Sequence, residues 1–174
     1  MRNKKLKFEG ANKENNFPNP SKTEPGLVQK RIVPVTSLPI QVIAFHAYIP
    51  KDSPGPLPAH HILKFDVVPL YKGNGYNKAD GIFIVPVSGT YVFTWAIMSH
   101  AHGTVGTQLM KNSDVIGTRL ADSTTSTVWD FATGTVAANA VQGDHVFVQL
   151  KINSAGNVGS IPYSRTTFSG WLLH

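Results

Sequence analysis

The side chains of this sequence that could do chemistry are histidines and carboxylates, and the closest pair is His100-x-His102. On a strand, a spacing of two puts both imidazoles on one face. There they could hold a metal ion or make a contact that responds to pH. Neither a carboxylate nor a third histidine stands beside them in the chain, so a solvated strand end is the plainer reading. All seven histidines lie from residue 46 onward. His60-His61 would point to opposite faces of an extended chain, which leaves no shared site and turns one ring inward. The seven Asp are scattered through turns and form no acid/base pair. HExxH, GxSxG and GxxxxGK[ST] are all absent, so the metalloprotease, serine-hydrolase and phosphate-loop chemistries lack their motifs. The chain reads as a non-enzyme.

The elements that position these groups belong to one domain's length of chain. At 174 residues with 41% hydrophobic and 15% charged residues, a sizeable core is possible without disulfides, and the absence of cysteine removes both disulfides and thiolate metal sites. The basic charge is uneven. Residues 1–31 hold eight Lys/Arg against three Glu, a net +5, whereas residues 32–174 hold eight Lys/Arg against seven Asp. Nucleic acid is not an expected partner, because the body has no clustered Lys/Arg. Residues 1–31 are polar, Asn/Lys-rich and broken by Pro18, Pro20 and Pro25, which predicts a flexible basic arm without a buried face. No apolar run reaches signal-peptide or membrane-spanning length, so no membrane insertion is expected. There is also no collagen repeat or heptad to make a stalk. Either the protein is cytosolic or its leader is not part of this chain.

From about Ile40 the pattern becomes short strands with turn chemistry between them. In FIVPVSGTYVFTW, residues 83–95, the rings of Tyr91, Phe93 and Trp95 recur at every second position. Three such rings on one strand face must be buried against something broad, most simply a second sheet. Gln41–Tyr48, His61–Pro69, Gly89–Ser99, Thr104–Lys111, Val115–Ala121, Ser126–Ala138, Asp144–Ile152 and Thr166–His174 read as strands. Lys51–Ala59 is an irregular Pro-rich connection, Tyr71–Asp80 a turn cluster around Tyr76, and Asn112-Ser113-Asp114 a hairpin loop. Eight or more strands without an amphipathic helix predict an antiparallel sandwich or jelly roll.

Three separated motifs then carry a resemblance. Phe65, Tyr76, Phe83, Gly89, Tyr91, Phe93 and Trp95 come first, Gly143-Asp144-His145-Val146-Phe147-Val148 second, and Phe168-Ser169-Gly170-Trp171-Leu172-Leu173 last. In this order and spacing they resemble the C1q-type globular head, a relative of the tumour necrosis factor superfamily, over roughly residues 40–174. Tyr71 and Trp95 depart from the family pattern, which usually has Asn or Asp at the first position and Phe or Tyr at the second. The resemblance implies an all-β fold, a ten-stranded jelly roll of two five-stranded antiparallel sheets, assembled as a tight homotrimer and secreted. For the aromatics the plain role is core or trimer-interface packing. Gly89, Gly143 and Gly170 read as backbone requirements, and Asp144 as a turn residue bonding nearby amides.

The resemblance leaves the ligand open. Such heads serve as innate-immune pattern-recognition modules, as cytokine- or hormone-like ligands of cell-surface receptors, and as matrix or adhesion trimers. Strands of a jelly roll are committed to packing, so recognition falls on loops. The polar loops are His100–Thr104, Asn112–Asp114, Asp122–Thr127 and Asn153–Gly159. The candidate ligand-binding residues are His100, His102, Asp122, Asn153, Asn157, Tyr163 and Arg165. Their hydrogen-bonding groups suit a polyhydroxylated ligand such as microbial polysaccharide or lipopolysaccharide. No cofactor is required. Calcium (Ca2+) would bind through Asp114 or Asp122, hard oxygen ligands of a kind the family sometimes uses.

Overall fold

The computed structural model describes residues 41–173; the arm expected over 1–31 lies outside them. The described chain forms β1 (Ala44–Tyr48), β2 (Val67–Lys72), β3 (Tyr76–Asn77), β4 (Ile82–Ile84), β5 (Gly89–Ser99), β6 (Thr104–Lys111), β7 (Asp114–Asp122), β8 (Asp130–Ala140), β9 (His145–Leu150), β10 (Val158–Gly159) and β11 (Thr167–Leu172). All pairings are antiparallel. One sheet runs β8-β5-β11-β1-β2, with the two-residue β10 pairing the last residues of β5 beyond the end of β11. The other runs β3-β4-β9-β6-β7. This is the expected jelly roll, two five-stranded sheets plus the short β10.

Alternation in β5 decides how the sheets meet. Tyr91, Phe93, Trp95 and Ile97 are buried, while Thr90, Val92, Thr94 and Ala96 are only partly covered. The first set faces the second sheet and supplies its core. Phe45 stacks on Tyr76 at 4.9 Å and on Phe83 at 4.8 Å, and takes Phe168 edge-on at 5.0 Å. Gly170 keeps that cluster tight, because a Cβ there would stand 2.7 Å from both Phe45 and Phe93. The large Trp95 is also accommodated by missing side chains. A Cβ on Gly134 or Gly117 would fall 2.4 Å or 2.6 Å from its indole carbons. The indole Nε1–H donates to Thr107 Oγ1 at 3.0 Å, and the Arg119 guanidinium lies 5.7 Å from the ring centre. These contacts explain how Trp95 fits where a smaller aromatic is usual.

Several expected boundaries move. His61–Pro69 is not a strand throughout. Ile62 makes an isolated bridge to Gln149, Leu63 N–H donates to Val148 O, and regular pairing starts only at Val67. Leu63 and Phe65 turn into the core there, and the Phe65 amide is satisfied by the buried Tyr76 hydroxyl at 3.2 Å. Pro69 sits in β2, which is an edge strand and so tolerates a missing amide. Tyr71 and Lys72 end β2 and Tyr76 and Asn77 form β3, so only the residues between and after them turn. β8 begins at Asp130, leaving 123–129 as a loop. His60 has φ 66°, so the His60-His61 pair is not extended.

Candidate functional site

The strand directions gather the candidate residues. Tyr48 pairs with Thr167, Ser99 with both Val158 and Asp130, and Thr104 with Asp122. One end of the sandwich therefore carries the connections 49–66, 100–103, 123–129 and 151–166. His100, His102, Asp122, Asn153, Asn157, Tyr163 and Arg165 all lie on these connections or at their roots. Asp114 does not. It opens β7, and eight residues of strand at about 3.3 Å each separate it by about 26 Å from Asp122. The two carboxylates cannot share one ion.

At the opposite end, the loop around Asn112 is tied to the turn before β9. Asn112 Nδ2–H donates to Asp144 Oδ1 at 2.9 Å, Val141 N–H to Asp144 Oδ2 at 2.9 Å, and His145 N–H to Asn112 Oδ1 at 2.9 Å. The Asn112 amide, with the Val141 amide behind it, holds the Asp144 carboxyl below the usual carboxylate range. Gly143 completes the turn at φ 92°. Asp144 is thus the turn residue its position suggested.

At the loop end, much of the polar chemistry serves the loops themselves. Asn153 Oδ1 accepts Ala59 N–H at 2.8 Å, and Asn157 Oδ1 accepts Gly55 N–H at 2.9 Å. These bonds staple the Pro-rich 51–59 connection to the 153–158 segment. Asp122 Oδ1 accepts Thr124 N–H at 3.0 Å, Thr124 Oγ1–H at 2.8 Å and Thr104 Oγ1–H at 3.1 Å. The Thr124 donors, backbone first, lower the Asp122 carboxyl below its usual range. Arg165 donates to Pro50 O and lies 4.8 Å above the Tyr48 ring centre. Calcium takes six to eight oxygen ligands, whereas no group of three or more His, Asp and Glu converges among the described residues. Among the described residues, the donors on Asp122 leave Oδ2 as its uncommitted oxygen.

The histidine pair is split by the backbone. His102 has φ 59°, so it leaves strand geometry, and the two rings do not share a face as the spacing predicted. His100 instead packs against groups remote in sequence. Its Nε2 lies 2.9 Å from Asp52 Oδ2, out of line for a hydrogen bond, and its ring meets Trp129 edge-on at 5.3 Å. Asp52 Oδ1 accepts Ser160 N–H at 2.7 Å. Asp52 and Trp129 were missed in the sequence, the first because its partner is 48 residues away and the second because it stood inside an expected strand. His102 and Tyr163 remain exposed, Tyr163 at 95%. On the 49–66 connection, Pro50, Lys51, Asp52, His61, Lys64 and Asp66 line an open cleft of about 310 Å³, at the small end of ligand-site volumes.

The outer face of the β8-β5-β11-β1-β2 sheet has a different character. Its cross-strand rows read Thr133-Ala96-Thr167-Tyr48, Thr135-Thr94-Ser169-His46-Leu70 and Ala137-Val92-Trp171-Ala44-Lys72. Lys72, on the edge strand, is the one formally charged residue in these rows. Such a face has little to lose by leaving water.

A model of the C1q domain family matches residues 44–173. Among solved structures, the globular domain of zebrafish complement 1qA protein is 15% identical with a TM-score of 0.59, covering 76% of this chain and 98% of that one. Murine APRIL is also 15% identical, with a TM-score of 0.58 and coverages of 76% and 99%. Eiger TNF from S. frugiperda is 18% identical, with a TM-score of 0.50 and coverages of 77% and 94%. At these identities the likeness is one of fold.

Proposed function

The chain belongs to the C1q domain family, and from that premise we propose that it is a non-enzymatic, extracellular, trimeric recognition module of innate immunity. Its ligands are microbial carbohydrate and surface polymers such as lipopolysaccharide, bound by loops at one end of each sandwich. The observation that carries this reading is the gathering of all seven candidate binding residues at a single end of the fold. The nearly uncharged sheet face lies at the side of the sandwich, so three copies meeting through it set three loop ends next to one another. A polymer with repeating units then engages several sites at once.

Within the loop end, the labour divides. Asn153, Asn157, Asp122 and Arg165 hold the loops in shape, while His102 and Tyr163 are free to meet a ligand, Tyr163 by stacking on the apolar face of a sugar ring. His100 is held between Asp52 and Trp129 and forms the floor between them. Asp122 Oδ2 would be the side-chain oxygen left to hold a calcium ion there. The test is polymer capture by a His102→Ala/Tyr163→Ala variant beside the unaltered protein. Loss of capture with unchanged mass and melting temperature supports the site. Full capture by the variant rejects it, and saturable binding to a cell-surface receptor without any polymer binding would move the protein to the cytokine-like class.

A further inference from the structure

We propose that the cleft on the 49–66 connection is a subsite for an acidic sugar residue, a pyranose that bears a carboxylate or a phosphate and is held by Lys51 and Lys64. This rests on the carbohydrate reading above and narrows it to anionic polymers.

The cleft is built from a connection whose only strand pairing is the isolated bridge at Ile62, yet its backbone is fixed. Ser53 N–H donates to Val158 O at 3.0 Å, Leu57 N–H to Ser154 Oγ at 2.8 Å, His60 N–H to Leu150 O at 2.8 Å and Leu63 N–H to Val148 O at 2.9 Å. Between these bonds Pro50, Pro54, Pro56 and Pro58 restrict the chain further. A ligand therefore meets a formed cleft and has little loop to order. The cleft opens at the end of the sandwich where β1 finishes, a strand's length from Gln41, where the described chain begins.

The side chains that line it divide by what they are already doing. Ile49 and Leu63 are buried and Leu57 is partly so, which makes an apolar floor. Asp52 and Ser53 serve the fold: Ser160 N–H donates to Asp52 Oδ1 at 2.7 Å, His100 Nε2 lies 2.9 Å from Asp52 Oδ2, and Val158 N–H donates to Ser53 Oγ at 3.2 Å. Lys51, His61, Lys64 and Asp66 are exposed, and among the described residues their side chains have no hydrogen-bond or ion-pair partner.

That uncommitted set specifies a ligand. Two ammonium groups with three donors each suit an anion. Asp66 only accepts, so it repels a bare anion but takes hydroxyl donors carried on the same molecule. The apolar floor suits the C–H face of a ring. Acid, hydroxyls and a C–H face on one compact body describe an acidic sugar, and about 310 Å³ admits one residue of a chain that continues out of the open cleft.

Amide NMR titration of the full chain tests the inference, with glucuronate, glucose 6-phosphate, glucose, glutamate and inorganic phosphate as probes. Either acidic sugar should shift the amides of the 49–66 connection and saturate in the millimolar range, with glucose about 10-fold weaker for want of two charge contacts. The tighter of the two names the acid group. Lys51→Ala/Lys64→Ala should bind glucuronate no better than glucose while keeping its mass and melting temperature. Should that variant not fold, salt decides on the unaltered protein: a rise in NaCl weakens glucuronate and not glucose if the inference holds, and equal salt responses overturn it. Glucose binding as tightly as the acids, or full glucuronate binding by the double variant, overturns the subsite and leaves the recognition reading standing. Glutamate or inorganic phosphate matching glucuronate overturns the sugar class of the ligand. If none of the sugars binds, the subsite falls, and capture of a neutral polysaccharide then decides the recognition reading by itself.

Discussion

Replacing Gly134 by alanine is a small change with a calculable clash. Gly134 is the direct cross-strand partner of Trp95, and an added Cβ would lie 2.4–2.6 Å from three carbons of the distal indole ring. Carbon atoms rest at about 3.5–4.0 Å, so the overlap is about 1 Å. The ring cannot retreat easily. Its Nε1–H is bonded to Thr107, Arg119 covers it, and Gly117 touches it from β7. Overpacking of this kind costs ~1–3 kcal/mol. Against it stands a gain of ~0.4–1 kcal/mol from the stiffer unfolded chain, available because the Gly134 backbone is not left-handed. A net loss of about 1–2 kcal/mol follows. Phenylalanine at 95 lacks the carbons that clash, so in a Trp95→Phe background Gly134→Ala becomes neutral or stabilising. The cycle should show a coupling of ~1–3 kcal/mol. Urea midpoints of the four proteins, with oligomeric state held constant, measure it. Equal costs of Gly134→Ala in both backgrounds would refute the account of how Trp95 is housed.

Other expectations follow from single hydrogen bonds. Tyr76→Phe leaves the buried Phe65 amide and carbonyl without their hydroxyl partner, at a cost of ~1–3 kcal/mol, and an unchanged denaturation midpoint would show that the bond is dispensable. Burial pushes the Tyr76 hydroxyl well above its ordinary value near 10, so the stabilisation is complete below about pH 10 and lost as pH rises beyond it. Tyr76→Phe should therefore flatten the alkaline unfolding profile. Asn112→Ala removes the chief donor to Asp144, and the carboxyl should rise toward its usual range in an NMR titration; because the folded value is depressed, its stabilisation is present at neutral pH and lost as pH falls through that value. With Asp122 already satisfied by three donors on Oδ1, chelation should leave the melting temperature unchanged, whereas a fall on chelation would reveal a structural calcium site.

The fold was legible where burial imposes a period. β5 and β6 occur at their expected bounds, Gly89–Ser99 and Thr104–Lys111, because one face of each must be apolar. Phe65 shows the limit. It is core, yet its backbone is satisfied by a tyrosine hydroxyl rather than a strand partner, and no local pattern announces that. The loop end was legible as a list of polar residues, not as an arrangement. Left-handed geometry at His102 is invisible in a His-x-His spacing, and the meeting of His100 with Asp52 and Trp129 depends on loops separated by tens of residues. Likewise, Asn153 and Asn157 are as suited in type to a ligand as to the amides of Ala59 and Gly55 that they hold.

The recognition claim is tested most directly by comparing polymer and monosaccharide binding on the intact protein. In a surface-binding assay over immobilised lipopolysaccharide or polysaccharide, free monosaccharide of the same repeating unit should compete only in the millimolar range, with the polymer bound ~10²–10⁴-fold more tightly through linked sites. Equal affinity for polymer and monosaccharide, or no binding to any microbial polymer, would contradict the account.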